Sequence, residues 1–154
     1  MTTIPTFDVV KVMYAYQSGG TQTISTSNSG TSATAISGVT TETIPVSSSA
    51  FFVVMAQGNI RYSESAKGES SAWVTTKIGT GTETVLQRAG PIGDETSDSR
   101  PKSNWTAIGY FSPETTDTVY FYVRANGKDI YDSAKNVEWA DTKLIVVEYN
   151  PPSE

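Results

Sequence analysis

Short runs in which apolar and polar residues alternate, separated by turn signals, recur along this 154-residue chain. The clearest run covers residues 118–125, and its apolar members occupy every second position: Val119, Phe121, Val123 and Ala125. A period of two residues places such side chains on one face of a β-strand. The runs show no convincing 3.6-residue stripe, which is the mark of an amphipathic helix. The chain is therefore predicted to be all-β.

Comparable segments predict strands along the whole chain, with Gly, Pro and Asn marking the turns between them. The predicted strands are residues 7–16, 50–57 (extended or paired by 59–63), 72–78, 83–89, 105–111, 118–125, 130–132 and 142–149, with a short helical turn near 133–139 as a further option. Many short strands at this spacing favour a two-sheet β-sandwich of jelly-roll type over an α/β fold. The length fits one domain over residues 1–154.

The segment of residues 17–43 is rich in Ser, Thr and Gly and has two interpretations. One is a flexible linker, which such a composition often forms. The other is a set of short strands and loops, because apolar residues interrupt the polar run at spacings that suit strands packed on a sheet: Ile24, Ala35, Ile36 and Val39. We favour the short strands.

The dipeptide Asn126-Gly127 follows the alternating run directly. Asn and Gly tolerate the positive φ angles of a type I′ turn, so the pair predicts a tight β-hairpin. A required hairpin that is not a binding site is the expected role.

The chain contains no His and no Cys. This excludes Ser-His-Asp and Cys-His nucleophile systems as well as zinc sites with His or Cys ligands. A glycosidase needs only two carboxylates, so this class of enzyme is not excluded by composition. Most glutamates, however, are expected in turns or on solvent-exposed strand faces: Glu42, Glu64, Glu69, Glu83, Glu114, Glu138 and Glu148. We predict a protein that is not an enzyme, with no catalytic residue and no cofactor.

An acidic segment contains Asp94, Glu95 and Asp98, whose oxygen ligands suit Ca²⁺. Arg100 and Lys102 follow and can neutralise these carboxylates, and the EF-hand order of ligands is missing. Residues 93–102 are therefore expected to form a mobile loop without metal.

The three tryptophans, Trp73, Trp105 and Trp139, allow two interpretations. Exposed rings can form a platform for sugars, whereas buried rings supply a core that the modest hydrophobic fraction of 37% needs. Burial of at least two of them is the prediction.

The formal net charge of −5 argues against nucleic acid and anionic membranes as partners. The chain also lacks an apolar segment of transmembrane length and a recognisable signal peptide. Synthesis in a reducing cytoplasm is the expectation.

Two segments and the polar first third resemble the β-sandwich proteins of tailed-phage virions. The segments are GYFSPETTDTVYFYVRANGKD at residues 109–129 and TKLIVVEY at residues 142–149. The resemblance is to capsid decoration, or cement, proteins first and to tail-fibre tip domains next. It implies a virion protein, a homo-oligomer that is commonly a trimer, which binds and stabilises the major capsid protein shell. The alternative is a receptor- or carbohydrate-binding module, such as a fibre tip or a lectin-like domain.

Two predicted strands are apolar on both faces, which an isolated sandwich does not need. The run AFFVVMA at residues 50–56 sets Phe52 and Val54 against Phe51 and Val53, and LIVV at 144–147 repeats the conflict. A second copy of the chain or a flanking Ser/Thr-rich loop must cover the second face. We predict an oligomer or partner interface that contains Phe51, Phe52, Val53, Val54, Tyr120, Tyr122, Leu144 and Val146.

Overall fold

The computed structural model describes residues 7–63, 67–92 and 103–151. Its strands agree broadly with the alternating runs and are longer than predicted in several places. They are β1 (Asp8–Tyr16), β2 (Gln22–Ile24), β3 (Thr34–Thr43), β4 (Phe51–Tyr62), β5 (Ser70–Ile78), β6 (Thr84–Ile92), β7 (Ser103–Phe111), β8 (Val119–Ala125) and β9 (Val137–Asn150).

The described strands pair into two antiparallel sheets. The first has the order β1-β9-β4-β7, with β2 also paired to β9, and the second has the order β3-β8-β5-β6. From β3 onward the chain changes sheet at almost every connection, as in a jelly roll. The predicted all-β, two-sheet sandwich is confirmed.

The core lies between the sheets and follows the period of two. In β8 the residues Val119, Phe121, Val123 and Ala125 are all fully buried, as predicted. Phe121 meets Phe52 of the first sheet edge to face, with ring centroids 5.3 Å apart. Trp105 and Trp139 belong to this core and are 5% and 0% exposed, whereas Trp73 is 6% exposed on the outer side of the second sheet.

The polar segment of residues 17–43 is built into the sandwich. It forms β2, a single 3-10 turn at Gly30–Ser32 and the ten-residue strand β3. Ile24, Ile36 and Val39 are buried, as the interpretation as packed strands required. Ala35 is exposed, since it neighbours Ile36 in the strand and points to the opposite face.

The predicted type I′ hairpin at Asn126-Gly127 is wrong. Gly127 does not have a positive φ, and the chain crosses from β8 of one sheet to β9 of the other. Asn126 is fully buried, and its Oδ1 accepts the Ser71 N–H at 2.8 Å. A Cβ on Gly127 would lie 2.0 Å from the Ile24 carbonyl oxygen, so glycine is required there for space.

In the loop that follows, two further predictions are wrong. Residues 130–132 form a turn instead of a strand, and residues 133–139 contain the start of β9 instead of a helical turn. The Asp129 carboxylate accepts the backbone N–H groups of Tyr131 and Ser133 and so holds the turn. Local side-chain bonding of this kind competes with strand formation.

Candidate functional site

The outer face of the first sheet is apolar where strands β1, β9, β4 and β7 lie side by side. Val53 pairs with Val147 on one side and with Tyr110 on the other. The next row in the same direction joins Tyr14, Ile145, Met55 and Ile108. We call the whole surface the apolar face, and it contains Phe7, Val9, Val12, Tyr14, Phe51, Val53, Met55, Ile108, Tyr110, Ile145, Val147 and Tyr149.

The side chains of the apolar face are open to solvent to an unusual degree for their type. Tyr14, Ile108 and Tyr110 are 59%, 56% and 60% exposed. The central residues are half-buried. Contiguous apolar patches of this extent mark interaction surfaces in soluble proteins.

An aromatic cluster closes one end of the apolar face. The Phe51 ring contacts Phe7, Tyr110 and Tyr149 at centroid separations of 5.2, 5.3 and 5.1 Å. Such ring pairs are worth about 0.5–1.5 kcal/mol beyond the area that they bury. The cluster therefore holds the apolar face in a defined shape.

The outer face of the second sheet has aromatic residues too, but each is paired with a cation. Lys77 Nζ lies 5.1 Å from the Tyr120 ring centre, and Arg124 lies 5.8 Å from that of Tyr122. Arg88 covers Trp73 in the same way at 5.7 Å. We call this surface the cation–aromatic face.

A two-pronged ion pair fixes the middle of the cation–aromatic face. Arg124 donates from Nε to Glu83 Oε1 at 2.7 Å and from Nη2 to Oε2 at 2.9 Å. Burial raises the pKa of Glu83, but the bonds from Arg124 and Thr75 and the charges of Arg124 and Lys77 outweigh it, so the pKa is lowered. Glu83 is thus held as an ionised structural carboxylate, unsuited to the role of a general acid.

The pKa of Tyr122 in the same face is raised. Burial is the main cause, and the nearby Glu83 charge adds to it, against the opposing effect of Arg124. The phenol therefore stays protonated.

The structure separates the eight residues of the predicted interface. Phe52, Val54, Leu144 and Val146 are fully buried between the sheets and do not reach the surface. Phe51 and Val53 lie on the apolar face, whereas Tyr120 and Tyr122 lie on the cation–aromatic face of the other sheet. Adjacent residues of a strand point to opposite sides, so the eight cannot form one patch.

Sequence reasoning missed several residues of the apolar face, above all Tyr14, Ile108 and Tyr110. A signal for one of them was present: in β1 the residues Val12, Tyr14 and Tyr16 share one side. Ile108 and Tyr110 alternate with Ala107 and Gly109, and the small size of those inward residues hid which side was the core.

Among the described glutamates, Glu148 departs furthest from the expected solvated role, and the ion-paired Glu83 departs from it as well. Glu148 is fully buried, and its Oε2 accepts the Val46 N–H at 2.7 Å. Its Oε1 lies 3.8 Å from Lys11 Nζ, which donates to Thr43 Oγ1 at 2.7 Å. These contacts link the connection between β3 and β4 to strands β1 and β9, so Glu148 stabilises the fold.

No group of three or more acidic side chains in the described part of the chain is arranged to hold a metal ion. Asp94, Glu95 and Asp98 lie outside the described residues, as does Glu64. Within the described ranges, no helix is long and apolar enough to cross a membrane.

The fold can be compared with known structures, although no family model and no curated protein matches the sequence. The chain is similar to the Eiger TNF of S. frugiperda, with a TM-score of 0.57 and 10% identity over 93% of this chain and 96% of that one. A weaker likeness is to infectious bursal disease virus, Gt strain, at a TM-score of 0.45 and 7% identity over 93% of this chain and 38% of that one. At such identities the likeness to the TNF structure establishes the jelly-roll-like sandwich and nothing about function.

Proposed function

We propose that this chain is a non-catalytic structural protein of a phage virion, which assembles into a homotrimer through the apolar face and decorates the capsid shell. The observation that carries the proposal is the apolar face itself. Its two central rows contain no charged residue, although the chain has a net charge of −5. Copies can therefore meet there without like charges coming into contact.

The size of the apolar face fits a stable interface. Phe7, Tyr14 and Tyr110 are 53%, 59% and 60% exposed. A fully buried aromatic side chain covers roughly 150–250 Å², so each of the three offers about 100 Å². With the nine other residues the face approaches the roughly 800 Å² that each partner buries in a standard interface.

The trimeric state and the capsid as partner come from the resemblance to phage decoration proteins. The two segments that carry it, residues 109–129 and 142–149, include Tyr110, Ile145, Val147 and Tyr149 of the apolar face. The chemistry of the chain supports a non-catalytic role, since it has neither His nor Cys and Arg124 holds Glu83 in an ion pair.

The assembly is tested by the mass of the protein in solution. We expect a trimer for the wild type and a folded monomer for Val53→Lys, because the lysine places a charge in the centre of the apolar face. The matched control is Gln87→Lys, at an exposed position of β6, which should remain trimeric. Analytical ultracentrifugation and circular dichroism measure both properties, and a wild-type protein that is monomeric at high concentration would refute the interface.

The capsid role needs its own experiment. Purified wild-type protein should bind shells that lack it and raise the temperature at which the particles break. A trimer that does not bind shells would contradict the decoration role. It would not contradict assembly through the apolar face.

A further inference from the structure

A polar groove lies on the same outer sheet face, beyond the row of Met55 and Ile145. It is an open groove with a volume of about 530 Å³. Strands β4, β7 and β9 line it with Gln57, Gly58, Asn59, Asn104, Trp105, Thr106, Asp141 and Lys143. This part of the sheet therefore differs in chemistry from the apolar face.

The backbone around the groove is irregular in two places. The pairing of β4 with β9 shifts register between Gln57 and Asn59, which is a β-bulge. Asp141 of β9 has a φ of 55°, in the left-handed region. Bulges and left-handed residues other than glycine occur often beside functional sites, where they aim side chains away from the regular pleat.

The two irregularities bring an amide and a carboxylate together. Asn59 Nδ2 donates to Asp141 Oδ2 at 3.1 Å, so the two side chains hold each other in place. The free oxygen of each group remains as an acceptor. A pre-organised pair of this kind lowers the entropy lost when a ligand binds.

Beneath the groove, strand β4 lies close to its neighbours at Gly58. A Cβ on Gly58 would lie 3.0 Å from both Trp105 Nε1 and Thr142 Oγ1. Both atoms are buried, and neither has a hydrogen-bond partner among the described residues. A side chain at position 58 would crowd both atoms, so glycine suits the bulge here.

The charged side chains that line the groove indicate which class of ligand it can bind. The groove contains one carboxylate, Asp141, and one ammonium group, Lys143, so its charges cancel. Its three amides can each donate and accept, as hydroxyl groups do. A neutral polyol matches this set better than an anion, a cation or an apolar peptide side chain.

An aromatic surface lies beside the groove. Tyr16 is the cross-strand partner of Lys143 and is 58% exposed. Its ring is nearly parallel to that of Tyr14, with an interplanar angle of 7°. An exposed ring next to polar groups offers a flat apolar surface of the kind on which a sugar ring can pack.

We propose that this groove binds a neutral saccharide. Asn59, Asn104 and Asp141 bond its hydroxyl groups, and the Tyr16 ring packs against one face of the sugar. None of these residues belongs to the apolar face, although Tyr16 borders it through its contact with Tyr14, and the proposal does not depend on the capsid role.

Binding is tested with the wild-type protein on an array of neutral hexose, N-acetylhexosamine and sialylated oligosaccharides. Calorimetry with the best neutral saccharide should then give a Kd at least tenfold weaker for Asn104→Ala and for Asp141→Asn. Asparagine tolerates a left-handed φ, so Asp141→Asn is expected to fold. The matched control is Glu42→Gln, an exposed carboxylate on the other sheet, which should bind as the wild type does.

Three results would overturn the proposal: no saccharide bound by the folded wild type, only sialylated ones bound, or the same affinity in the groove variants. Sedimentation of the same samples reports the mass. Loss of saccharide binding at unchanged mass therefore concerns the groove alone, and a change in mass concerns the apolar face.

Discussion

The outer faces of the two sheets both carry aromatic side chains, but only on the second sheet do charged side chains of the same chain cover the rings. On the second sheet Lys77, Arg88 and Arg124 cover the rings of Tyr120, Trp73 and Tyr122. On the first sheet Tyr14 and Tyr110 are more than half exposed. A cation over a ring satisfies both groups within the chain, whereas bare apolar side chains gain most from a partner.

The comparison shows that aromatic content alone does not identify an interface. What distinguishes the two faces is whether charged residues of the same chain lie over the rings. In β8 the alternation brings Arg124 onto the side of Tyr120 and Tyr122. In β1 and β7 the outward positions next to Tyr14 and Tyr110 are apolar: Val12 and Ile108.

The largest expected effect sharpens the contrast between the inner and outer sides of one strand. Phe52→Lys should unfold the domain, because Phe52 is fully buried and packs on Phe121. Its neighbour Val53 on the apolar face should accept lysine with loss of assembly only. Loss of cooperative thermal unfolding, followed by circular dichroism, is the measurement, and a folded Phe52→Lys protein would contradict the assignment of the two sides.

A smaller loss of stability is expected when the Arg124 guanidinium is removed from the cation–aromatic face. Arg124→Met leaves Glu83 without its two-pronged partner, in a site where the carboxylate is 17% exposed, and should lower the free energy of unfolding by about 1–3 kcal/mol. The control is Arg61→Met, since Arg61 is 47% exposed in its pair with Glu138 and should cost at most about 1 kcal/mol. Urea denaturation measures the free energy of unfolding of both variants. Equal losses would contradict the interpretation that the Arg124–Glu83 pair stabilises the protein more than an exposed ion pair does.

The smallest effect is a pH dependence of the same ion pair. The pKa of Glu83 is lowered below its ordinary value of 4.5, so its contribution to stability is present above that pH and is lost as pH falls through the lower, folded-state pKa. The difference in melting temperature between wild type and Glu83→Gln should therefore shrink as pH falls below 4.5. A difference that stays constant with pH would show that Arg124 does not stabilise the ionised form.

Sequence patterns predicted much of the fold and less of the site. The period of two in β8 and the need of the core for large residues were enough for the buried set that includes Val119, Phe121 and Trp139. The dipeptide Asn126-Gly127 favours a hairpin locally, but the chain there crosses from one sheet to the other, so the hairpin prediction is wrong. The polar groove was not foreseen at all, since it arises from a bulge and a left-handed residue on strands distant in sequence.

What the sequence determined by itself is which residues share a side of each strand, because alternation follows from the covalent geometry of an extended chain. It also determined the poverty of catalytic groups, which is a matter of composition. Only the tertiary structure decided which side faces the core and which strands become neighbours. Phe51 and Tyr122 look alike in the sequence, yet one joins Phe7, Tyr110 and Tyr149 in an aromatic cluster while the other lies under Arg124 on the opposite sheet. The physical reason is that strand pairing brings together residues far apart along the chain, and no local pattern specifies those pairs.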